Sequence, residues 1–181
     1  MQIILALIAL AMVACLGPDP KSDSESVSES ESGPIPLLDP FALMPVEAGA
    51  DPLAHERPSE VKCPSAAWGP EGGGFEIQTG VCNYAAFDQP LSVQIEAGDA
   101  FNIVIWHDTL DYPEPATAHV AVWIGGEVLW EAEVAIPASS DSFEVNVPID
   151  HTPAPDDRLG LHLHNHGFNS WRFVAVDLHP H

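Results

Sequence analysis

Positive charge is what this 181-residue chain has least of: five Lys and Arg stand against 27 Asp and Glu, a formal net charge of −22. Nucleic acid is excluded as a partner, because a phosphate backbone is held by Lys and Arg. Long hydrophobic runs are also missing. The longest, Ile3–Ala14, holds a dozen residues, short of the ~20 that cross a bilayer as a helix. There is no Gly-x-Ser-x-Gly, no His-Glu-x-x-His and no phosphate loop, so none of the common catalytic devices is present and an enzyme is not expected. Cysteine is scarce at three residues. No helical period persists anywhere in the second half of the chain.

What is present divides the chain in three. The apolar run Ile3–Ala14 has the length of a signal-peptide core, and it ends at Met12-Val13-Ala14-Cys15. This resembles the lipobox of bacterial lipoproteins. The resemblance implies a signal peptide over 1–14, cleavage before Cys15 and acylation of that cysteine, so that the membrane is a partner through the lipid anchor. Leu16 rather than Asp follows the cysteine, which in that family resembles an outer-membrane or cell-surface address. From residue 15 to 60 the composition turns to serine, acid and proline, with Lys21–Ser32 reading KSDSESVSESES. Such a stretch cannot bury enough apolar surface to offset chain entropy. It reads as a disordered acidic linker, with the apolar island Pro34–Val46 as its one segment able to dock.

Residues 61–181 carry a period of two. The alternating runs are Phe75–Tyr84, Leu91–Ile95, Phe101–His107, Ala118–Ile124, Val128–Ile136, Phe143–Val147, Leu159–His164 and Trp171–Val176. Gly125-Gly126 between two of them predicts a tight hairpin, since glycine tolerates the positive φ that such turns require. About eight strands with regular turns predict an all-β fold, an antiparallel β-sandwich of jelly-roll type. Cys63 and Cys82 remain after Cys15 is assigned, and an exported chain meets an oxidising compartment. A Cys63–Cys82 disulfide is therefore predicted.

Three groups of residues could carry chemistry. Leu159–Asn169 reads LGLHLHNHGFN. On a strand the leucines face one side and His162, His164 and His166 the other, toward solvent or a neighbouring loop. Imidazoles two residues apart lie about 6.5–7 Å from each other, a spacing that suits one Zn²⁺ or Cu²⁺ if His107 or His119 supplies a further ligand. The same histidines would serve equally as hydrogen-bonding residues that hold no metal. Second, Trp106 and Trp123 oppose the main aliphatic face of their strands. They either fill a second buried layer or stand displayed, with Asn169, as a platform for carbohydrate. Third, the loop His107–Glu114 and the pair Asp156-Asp157 offer oxygen ligands for a structural Ca²⁺. The expected function is a surface-anchored, non-catalytic module binding an extracellular ligand, carbohydrate or protein. The alternatives are an envelope metal-binding protein and a structural surface lipoprotein with no small ligand.

Overall fold

The computed structural model describes residues 33–181 apart from residue 48. The expected signal peptide 1–14, the lipidated Cys15 and the Lys21–Ser32 run lie outside the described residues.

Eight strands make the body of the domain: β4 (Gly74–Gln78), β5 (Tyr84–Pro90), β6 (Ala100–His107), β7 (Ala116–Ile124), β8 (Glu127–Ile136), β9 (Asp141–Pro148), β10 (Arg158–His164) and β11 (Ser170–His179). They form two antiparallel sheets, one in the order β4-β11-β6-β9 and the other β5-β10-β7-β8. Apart from the β7–β8 hairpin, successive strands alternate between the sheets. That is the jelly-roll arrangement, as the alternating runs predict. Three short strands extend the edges. β1 (Ile35–Pro36) pairs with β11, β2 (Met44–Pro45) with β5, and β3 (Trp68–Glu71) with β4. The β7–β8 turn is Gly125-Gly126, both at positive φ (57° and 89°), as a two-residue hairpin demands.

The core lies between the sheets, where each strand presents alternate side chains. Phe101, Ile103 and Ile105 of β6 face Val120 and Val122 of β7 and Leu159, Leu161 and Leu163 of β10 in one cluster. The leucines of β10 are thus the inward set, as expected. The Cys63–Cys82 disulfide is present, and it ties the segment before β3 to the turn between β4 and β5.

Three expectations are corrected. The run Phe75–Tyr84 is not one strand: it breaks at Thr79–Asn83, and the missed strand β5 begins where it was expected to end. Leu91–Ile95 forms no strand. It alternates because Ile95 is buried, while Leu91 and Val93 pack partly against the core at one end of the sandwich. The linker expected through residue 60 is also corrected from residue 33 onward. The apolar island docks: Leu37 and Leu43 are buried in the domain, as is Leu53 beyond it, and the Leu37 N–H donates to the Val176 carbonyl at 2.8 Å. Prolines rule out a helix here but not short edge strands.

Candidate functional site

After β2 the chain crosses the outer face of the second sheet. The Val46 N–H donates to the Ala86 carbonyl of β5 at 3.0 Å, and residues 51–57 then lie over β5 and β10. Asp51 pins this strap. One of its oxygens, Oδ2, accepts from the Tyr84 hydroxyl at 2.6 Å and lies 2.8 Å from His162 Nδ1. The other, Oδ1, accepts from the Leu53 N–H at 2.8 Å. The Asp51 and His162 side chains are 1% and 0% exposed. Burial alone would raise the Asp51 carboxyl. The hydrogen bond and charge of His162, then the bonds from Tyr84 and Leu53, outweigh it and hold the carboxyl below the usual range. Burial first, then Asp51, pushes the Tyr84 phenol well above its ordinary value. The expectation that His162 faces solvent or a loop is settled in favour of a loop, one contributed by the supposed linker.

His119 on β7 stands directly across from His164 on β10, two register positions from His162. The His119 and His162 ring centroids are 5.5 Å apart. His119 Nε2 lies 3.0 Å from Glu131 on β8, and His164 Nδ1 lies 3.7 Å from Glu56 of the strap. The His164 imidazole is held below the ordinary histidine value, first by burial and then by His166, against the pull of Glu56. His166 is exposed and its ring meets that of His164 edge-on, with centroids 4.4 Å apart. A pocket of about 450 Å³ opens beside them, lined by His119, His164, His166, Glu133 and Tyr112 among others. His107 does not join this group. It belongs to β6 in the other sheet, faces inward, packs 4.6 Å from the Trp171 ring and points its Nδ1 at the Asp108 carbonyl at 2.8 Å. It ends a strand whose inward parity the sequence shows but whose sheet it does not.

Trp123 is also corrected as a displayed residue. It is 3% exposed, its indole lying over Gly160, where a Cβ would come within 1.9 Å of Trp123 Cε2. A glycine inside β10 therefore makes the seat for a tryptophan on β7. Asn169 serves the turn before β11: its φ is 144°, and its carbonyl accepts from the Thr79 N–H and hydroxyl. Trp106 alone of the three expected ligand residues sits on an open face. It is half-buried on the outer side of the first sheet, with the Arg172 guanidinium 5.9 Å from its ring centroid. Around it Glu76 receives Arg172 at 3.0 Å and the Ser170 hydroxyl at 2.5 Å. Farther along, Asn102 Nδ2 donates to Asn146 Oδ1 at 3.3 Å, beside exposed Ser142 and Glu144.

Two of the oxygen groups expected for Ca²⁺ accept backbone N–H bonds nearby. Asp108 Oδ1 accepts from the Thr109 N–H and Asp157 Oδ2 from the Ala154 N–H. Among the described residues no three His, Cys, Asp or Glu side chains are drawn close enough to hold an ion as they stand.

No family model matches the chain, and no curated protein does. Solved structures to which it is similar include a CBM4 module, at 12% identity and TM-score 0.43, covering 77% of this chain and 87% of that one. Another is CBM51 from Clostridium perfringens GH95 in complex with methyl-galactose, at 14% identity and TM-score 0.38, covering 57% and 68%. A third is a family 16 carbohydrate-binding module, at 11% identity and TM-score 0.39, covering 62% and 84%. At these values no residue role is carried over from them.

Proposed function

We propose that the domain is a non-catalytic binding module for a neutral extracellular carbohydrate, engaged by the open face of the first sheet. The observation that carries this reading is the Trp106 row. An indole is flanked by Arg172 and Glu76 on one side and Ser142 on the other, with Asn102 and Asn146 four residues along their strands. Sugars are recognised by such pairing: an aromatic face takes the C–H surface of a ring, and adjacent forked donors and acceptors take its hydroxyls. The second sheet offers no equal platform, because the strap and Gly160 bury its histidine and tryptophan. Neutral glycans are the expected class because a chain at −22 repels polyanionic ones.

The test is binding of the full-length chain to soluble β-1,4-glucan, xylan and mannan by calorimetry. Binding to at least one is expected, with Trp106→Ala weakening it by about tenfold or more while the fold is kept. The reading fails if no glycan binds, or if one binds equally well to Trp106→Ala. For the wider setting, the lipobox-like Met12–Cys15 supports an exported protein anchored through Cys15, at the outer membrane or cell surface. A lipid precursor should label the wild-type chain and leave Cys15→Ala unlabelled; label on neither would remove the anchor.

A further inference from the structure

Three histidines on the opposite sheet, His119 and His162 buried and His164 mostly so, share a pattern that the glycan reading does not use. Each has one ring nitrogen toward a carboxylate: His162 Nδ1 to Asp51, His119 Nε2 to Glu131 and His164 Nδ1 to Glu56. In each, the other nitrogen is buried without a partner: His162 Nε2, His119 Nδ1 and His164 Nε2. A carboxylate only accepts, so the nitrogen facing it carries the proton and the far nitrogen of a neutral ring is left as a bare lone pair. Three lone pairs on one sheet face need protons or a cation. One water brings two protons, whereas a metal ion offers three or four positions.

From this geometry we infer that His119, His162 and His164 form a site for a divalent transition metal of the Zn²⁺ or Cu²⁺ class. Asp51, Glu131 and Glu56 are the outer carboxylates that fix the rings and balance the charge. Metal-bound histidines commonly hand their second nitrogen to such a carboxylate. An ion about 2.0–2.1 Å from two imidazole nitrogens places the ring centres roughly 5 Å apart. The His119 and His162 centroids are already at 5.5 Å, and His164 is the cross-strand partner of His119. The rings are not closed around one point in this structure. Closing them takes side-chain rotation at His119 and His164, with the β7–β10 register kept. The 450 Å³ pocket that these two residues line gives an entry path and an open fourth position. His107 has no part in the site, and the charge-rich surroundings suit a cation.

The test uses the tag-free full-length chain, titrated with Zn²⁺ by calorimetry and with Cu²⁺ by electron paramagnetic resonance. One equivalent should bind with a Kd of about micromolar or tighter, with three nitrogens on copper and a thermal midpoint that rises with Zn²⁺ and falls back with chelator. His119→Gln and His164→Gln, at the margin of the buried group, should each weaken binding by about tenfold or more. Asp51→Asn should weaken it by about 10–100-fold. A His179→Asn plus His181→Asn variant should bind as the wild type does. The inference is overturned by no stoichiometric binding to the wild type, by two or fewer nitrogens on copper, or by affinity that survives both single histidine changes. The copper spectrum needs only the wild-type protein, so it decides even if a variant fails to fold. The outcome is independent of glycan binding, which uses the other sheet.

Discussion

Gly160 and Trp123 show how a single position decides what a strand can display. The indole occupies the space that any side chain at 160 would need. Gly160→Ala should therefore force Trp123 outward and destabilise the domain by about 1–3 kcal/mol, the usual range for overpacking, read as a lowered denaturation midpoint. Exposure of the ring should red-shift the tryptophan emission. Asp51 is the second decisive residue. Removing one partner of a buried hydrogen-bonded pair leaves the other unpaired, so Asp51→Ala should cost about 1–3 kcal/mol by chemical denaturation. Exchange protection should be lost first at residues 51–57 and β10. Alternation in LGLHLHNHG placed the leucines inward and the histidines outward. It could not show that the outward side is covered, because the covering residue, Asp51, comes from a segment 111 positions earlier in sequence. For the same reason His107, at a strand end with the right chemistry, looked like a ligand and is in the wrong sheet.

At the scale of elements the strap over the second sheet is the unexpected part. Its composition is acidic and proline-rich, yet the buried Leu53 anchors it and the buried Asp51 carboxylate pins it. Serine–acid content marked residues 15–60 as linker, and the docked part is distinguished only by the apolar spacing in Pro34–Val46. The strap also sets the response to acid. His164 has a depressed value in the folded state, so the unfolded chain takes up its proton first. The stability from keeping it neutral is complete above the unfolded value near 6.5 and declines as pH falls from there. Asp51, also depressed, adds a second loss as pH falls below about 4. Denaturation midpoints measured across pH 3–8 should fall in these two steps, and Asp51→Asn should shrink the lower one, to which Glu76 and Asp99, held low in the same way, also contribute. Strands were legible where both faces are distinct, as in β6, β7, β9 and β10. β5 was not, because Tyr84-Ala-Ala-Phe puts apolar residues on both faces and shows no alternation.

For the whole molecule, the fold class followed from repeated period-two runs and a Gly-Gly hairpin, and the two sheets fall in jelly-roll order. The disulfide followed from counting cysteines in a chain expected to be exported. Reducing Cys63–Cys82 should cost about 3 kcal/mol in the chain-entropy account of a loop of this size, measured by denaturation with and without reductant. The two sheet faces then divide the molecule's chemistry. One is open and carries Trp106, Arg172 and the paired asparagines; the other is strapped and carries the histidines. The most direct test of the central claim is amide chemical-shift mapping of the protein with whichever soluble neutral polysaccharide it binds, supplied as oligosaccharides. Shifts should concentrate at Asn102, Trp106, Ser142, Asn146 and Arg172. Shifts confined to the strapped sheet, or no shifts with any of the three glycans, would contradict the account.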